Sequence, residues 1–92
     1  MGKADAFQIE GLDLWFNSSD HKPPHFHVEK ASAWEVRVYF MRGPSEMIDV
    51  KCGTEPSGRD RRSMTKLAEA HRIELLIEWE TKVSVKTPGA EK

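Results

Sequence analysis

Ten consecutive residues, DHKPPHFHVE at positions 20–29, hold three of the four histidines of the chain together with two prolines. In an extended strand, successive side chains point to opposite faces, so His25 and His27 share one face while Phe26 and Val28 take the other. Two imidazoles about 7 Å apart along a strand can share a metal ion or divide the roles of acid and base. A His-x-His pair does not make a metal site alone, because structural zinc takes four ligands and catalytic zinc usually three plus a water. The missing ligands would come from Asp20, His21, Glu29 or His71. Three readings stay open: half-exposed structural histidines bonded to backbone, a catalytic or nucleic-acid-contacting group of His25, His27 and His71, and a metal site. The bet among site compositions is His21, His25 and His27 with Asp20 or Glu29. On this reading His71 is a buried polar residue bonded to backbone or to the proline loop.

A second cluster lies downstream, where Arg59, Arg61, Arg62 and Lys66 stand at the start of an expected helix. Cations are disfavoured there by the helix dipole, so the placement calls for an anion, and phosphate would serve. The alternative is a solvated cluster offset by Asp60 and Glu69. Cys52 is the single cysteine, which excludes an intrachain disulfide and a multi-cysteine zinc module. Nothing resembles a P-loop, a Ser-x-x-Lys pair or a dinucleotide fingerprint, so no cofactor is expected.

The elements that must hold these residues follow from periodicity. Phe7, Ile9, Leu12, Leu14 and Phe16 alternate with a slip at Gly11, which reads as a bulged strand. The turn formers of residues 17–24 make a stiff loop before an extended stretch that starts at His25. Trp34, Val36, Val38 and Phe40 alternate with Glu35, Arg37 and Tyr39 in a further strand, and residues 47–50 suggest a fourth. From Asp60, read as the N-cap, no Gly or Pro occurs until Pro88, which predicts one helix of about 20 residues. Its stripe of Met64, Leu67, Ala68, Leu75 and Trp79 should face the sheet, with His71 in the middle. Ala70, Ile73 and Ile77 fall on the opposite side, and one sheet cannot cover both. The expected class is α+β: a three- to four-stranded antiparallel sheet packed by one long C-terminal helix, a single domain over residues 7–83 with frayed tails at 1–6 and 86–92.

Composition narrows the function classes. At 92 residues, 38% hydrophobic and 32% charged, the chain has room for one small core. A formal charge of -1 gives no general attraction to nucleic acid, so any such binding is local and weak. No apolar run approaches the roughly 20 residues of a membrane span and no signal-peptide core is visible, so no membrane partner and a cytoplasmic location are expected.

Taken together, LDLWF, then DHKPPHFHVE, then the helix KLAEAHRIELLIEWE resemble a small prokaryotic domain-of-unknown-function family marked by the string Asp-His-x-Pro-Pro-His-Phe-His-Val. The likeness runs from Ile9 to Glu80 and includes His71, Arg72, Glu74, Leu75 and Trp79 of the helix. It departs between Trp34 and the helix, where this chain is longer and more aromatic. The resemblance implies a lone domain, often encoded beside another small protein in toxin–antitoxin-like pairs. The leading expectation is a protein-interaction or regulatory module that pairs with such a neighbour or forms a homodimer, with Ala70, Ile73 and Ile77 at the interface or under the tail around Val83 and Val85. The rivals are a metal-independent ribonuclease, with the histidines as acid and base and the arginines on phosphate, and a His-rich metal-binding domain.

Overall fold

Strand alternation sorts the side chains into a face that must be covered and a face that need not be. The computed structural model describes residues 2–17 and 22–83. Strands β1 (Gly2–Lys3), β2 (Asp13–Phe16), β3 (Phe26–Lys30), β4 (Trp34–Val38) and β5 (Ile48–Gly53) form one antiparallel sheet in sequence order. Registers place Leu14, Val28, Val36 and Val50 in one cross-strand row, and Phe26, Val38 and Ile48 in the next. These rows line the covered face. The row between them, Trp15, His27, Arg37 and Asp49, points to the other side.

Two helices close the covered face: α1 (Gly58–Ala70) and α2 (Arg72–Lys82). Of the predicted stripe, Met64, Ala68, Leu75 and Trp79 are buried in one cluster with Phe16, Phe26, Phe40 and Met47, whereas Leu67 is only half-buried and lies outside that cluster. Replacing nine-tenths-buried apolar side chains such as these is where destabilisation of several kcal/mol originates. The expected single helix is broken at His71, whose φ of -111° and ψ of 24° leave the helical region. Tertiary tethers meet at this point and override local propensity. The His71 ring packs on Phe7 at 5.3 Å, and Arg72 donates to the carbonyls of Phe40 (2.8 Å) and Arg42 (3.3 Å). His71 itself serves both ends, its N–H donating to Leu67 O at the close of α1 and its carbonyl accepting from the Leu75 N–H at the start of α2, both at 2.9 Å.

Four further expectations are corrected. The N-cap is Ser57, whose Oγ accepts from the Asp60 N–H at 3.1 Å; Asp60 sits in the first turn, 3.8 Å from Lys30. Gly11 is a turn residue at φ +85° rather than a bulge, and β2 begins only at Asp13. The sheet has a fifth, two-residue strand drawn from the supposed N-terminal tail, and the fourth expected strand is β5, ending at Gly53. Residues 2–5 are held in place: Ala4 is buried, its N–H donates to Leu14 O, and Asp5 N–H donates to Glu78 Oε1 at 2.8 Å. Residues 84–92, including Val85 and the expected C-terminal tail, lie outside the described residues.

Two predictions follow from these contacts. Gly53 has φ +88°, and a Cβ there would stand 2.2 Å from Ala33 O and 2.7 Å from Trp34 Cα. Gly53→Ala is expected to cost about 2 kcal/mol or more, read as a lower urea midpoint with unchanged slope. Lys82 bridges Asp5 (2.7 Å) and Glu78 (3.1 Å). Burial opposes its ammonium, yet those hydrogen bonds outweigh burial and raise its pKa above the ordinary 10.5. The stabilisation is therefore complete below pH 10.5 and fades as pH rises through the raised value. Lys82→Met should lose about 0.5 kcal/mol at neutral pH and show a shallower alkaline decline than the wild type in pH-dependent melts.

Candidate functional site

The HFHV segment enters the sheet from a proline-bounded loop, and β3 is buried on both faces: Phe26 and Val28 against the helices, His27 against the other side. His25 precedes β3 and is buried as well. Both imidazoles are therefore interior groups, 5% and 3% exposed, rather than half-exposed ones. Such groups persist in an interior only when hydrogen-bonded or packed against polarisable surfaces. His25 Nδ1 lies 2.8 Å from the Pro23 carbonyl. A carbonyl only accepts, so Nδ1 is the donor of this bond. The fixed backbone of Pro23 and Pro24 sets that carbonyl where the ring needs it.

Around the pair the aromatic rings form a continuous array. His27 stacks on Trp15 at 5.3 Å and 15°, and meets His25 edge to face at 5.2 Å. His25 also touches Tyr39 (4.9 Å) and reaches past the end of the sheet to Trp79 of α2 (5.6 Å). Arg42 caps the Tyr39 ring at 4.1 Å from its centroid. Glu35 supplies the nearest described carboxylate, with Oε2 at 3.8 Å from His27 Nδ1, and Lys51 shares that carboxylate at 3.3 Å.

The sequence-predicted residues separate into several places. His25 and His27 come together; Asp20 and His21 lie outside the described residues. Glu29 is exposed at the far end of β3, and Glu35 on β4 stands where a carboxylate from Glu29 was expected. Strand alternation puts Glu35, Arg37 and Tyr39 on one face, but only the β3–β4 register says that Glu35 neighbours His27. Trp15 was missed for the same reason, its register with His27 being invisible in the chain. His71 is not a buried polar residue of the stripe. It sits at the helix break with its side chain 30% exposed, Nδ1 bonded to the Glu74 carboxylate, apart from the other two. Among the described residues no group of three His, Cys, Asp or Glu side chains converges as a metal site. Cys52 is an exposed free thiol.

The basic cluster occupies the other end of β3, where Lys30 meets Asp60. Arg61 pairs with Glu55 at 3.3 Å, while Arg59, Arg62 and Lys66 are exposed. Arg59 and Lys30 border a cleft of about 500 Å³ against the residue 9–12 turn, but Glu10 and Asp60 line it too, so it has no excess of positive charge to hold an anion. The interface candidates Ala70, Ile73 and Ile77 are all exposed, Ile73 at 70% and Ile77 at 58%. Of the tail expected to cover them, Val83 belongs to the core and Val85 lies outside the described residues. No helix of the described residues is long and apolar enough to cross a membrane.

Compared with known proteins, residues 11–80 match the family described as "Domain of unknown function (DUF4160)". No curated protein and no solved structure matches the chain.

Burial makes a prediction about reactivity. With diethyl pyrocarbonate followed by peptide mass mapping, His71 is expected to react well before His25 and His27, because modification requires the reagent to reach a ring nitrogen. Equal rates for all three would mean that the aromatic array opens faster than the reagent attacks.

Proposed function

The chain belongs to the DUF4160 family, a domain of unknown function, so its role must be read from its own surfaces, and we propose that it is a protein-interaction module that docks through the outer face of α1 and α2. One observation carries this reading. Ile73 and Ile77 are 70% and 58% exposed one helical turn apart, although the core beneath them is complete. Each would gain roughly 1.5 to 3 kcal/mol on full burial, a standing incentive to be covered by protein. Met41, 47% exposed in the turn that Arg72 ties to α2, adds apolar surface at the helix start.

The geometry argues against turnover by the histidine pair. A ribonuclease needs acid, base and phosphate-holding groups around one accessible phosphodiester. Here His25 and His27 are interior, and the exposed arginines belong to the opposite end of β3. The imidazole array is better suited to fixing the loop and α2 on the sheet. As partner, the family resemblance nominates a small protein from a neighbouring gene, as in toxin–antitoxin-like pairs, and the face is equally open to a second copy of the chain.

Ile77→Asp tests the reading. Since the side chain is mostly in water, the variant should keep its circular dichroism spectrum and lose no more than about 0.5 kcal/mol of stability. It should lose the association that the wild type shows, whether homotypic mass by light scattering or capture of its gene neighbour. A variant that unfolds would make the stripe part of the core and end the docking argument.

A further inference from the structure

Resting on that docking reading, we infer that the occupant of the α1–α2 outer face is a second copy of the chain, paired antiparallel about Ile73. The two helices meet at His71 with no residue inserted between them, its N–H bonded to Leu67 O and its carbonyl to the Leu75 N–H, so the outer faces of α1 and α2 follow one another across the break. Lys66, Ala70, Ile73, Ile77 and Glu80 recur at intervals of four and three, the spacing of a helix-pairing seam. All five are exposed.

Charge along this seam is polarised. Lys66, backed one turn earlier by Arg62 and flanked by Glu69, stands at its N-terminal end, Glu80 stands at its C-terminal end, and its middle is apolar. None of Arg62, Lys66 and Glu80 has an ion-pair partner among the described residues. A parallel partner would set like charge on like. An antiparallel one centred on Ile73 sets Lys66 opposite the partner's Glu80, and Glu80 opposite the partner's Lys66, so one sequence satisfies both ends through a twofold axis. The same register brings the small Ala70 against Ile77 of the other copy, large side chain into small, with Ile73 meeting its own equivalent on the axis.

Because the contact is one helix against one helix, the interface is below the usual size for tight complexes, and dimerisation should be weak and concentration-dependent.

Reciprocal charge exchange tests the pairing by sedimentation velocity across concentrations up to about 1 mM. The wild type should move from the 10.5 kDa monomer toward twice that mass. Lys66→Glu and Glu80→Lys should each weaken dimerisation about tenfold, because two attractive pairs become repulsive. An equimolar mixture of the two single variants should dimerise again, since every contact between unlike variants is complementary, and the double exchange in one chain should do the same. Lys66 and Glu80 are exposed, so the melting temperature of each variant at a monomeric concentration should stay close to that of the wild type, and a lost dimer then cannot be ascribed to lost folding. A wild type that stays monomeric at 1 mM, or single variants that dimerise like the wild type, overturns the second-copy assignment. The docking reading is then decided separately, by whether Ile77→Asp abolishes capture of the gene neighbour.

Discussion

Burial of β3 on both faces is the constraint to which the rest of the molecule conforms. A two-layer sheet can bury one face of a strand against helices at no polar cost, and Phe26 and Val28 do so. The other face has no helix over it among the described residues, yet His27 lies there as deeply buried as the core, with His25 beside it. An interior imidazole must have its polar edge met and its ring packed. The Pro23 carbonyl meets the His25 edge, Glu35 stands 3.8 Å from His27 Nδ1, Trp15 and Tyr39 pack the rings, and Trp79 carries the same array around the sheet end into the helix layer. One strand thus locks the loop, the sheet and α2 to one another.

The helix layer divides its labour along and around its axis. Its inner stripe seals the sheet, its broken point at His71 is tied to Phe7 and to the turn after β4 through Arg72, and its outer stripe is left to solvent. The apolar outer residues Ile73 and Ile77 lie outside the core cluster, so the outer stripe and the histidine array make separate demands on the chain.

Periodicity made the α+β class, the helix-facing stripe and the two-sided helix readable in advance, because burial repeats at 3.6 and 2 residues wherever one face packs. The segment around Gly11 misled, since its apolar residues alternate yet pack on the core from a turn. The break at His71 was hidden because no glycine or proline marks it; its tethers, Phe7 and the carbonyls of Phe40 and Arg42, come from distant sequence. For the site, alternation placed His25 and His27 together, but neither their depth of burial nor their neighbours Glu35 and Trp15 could be read. Those depend on strand register, which no local pattern records.

The register shift where β5 leaves β4 reaches beyond local geometry. Glu35 pairs with Cys52 and Val36 with Val50, so Lys51 is the extra residue that kinks the outermost strand. A flat open edge is a template on which further chains can stack into fibrils. This edge is bent and carries Asp49 and Lys51 on its charged side, while the opposite edge, β1, spans only two residues. Both margins of the sheet are thus poor templates for a further strand, one because a register shift interrupts it and the other because it is so short.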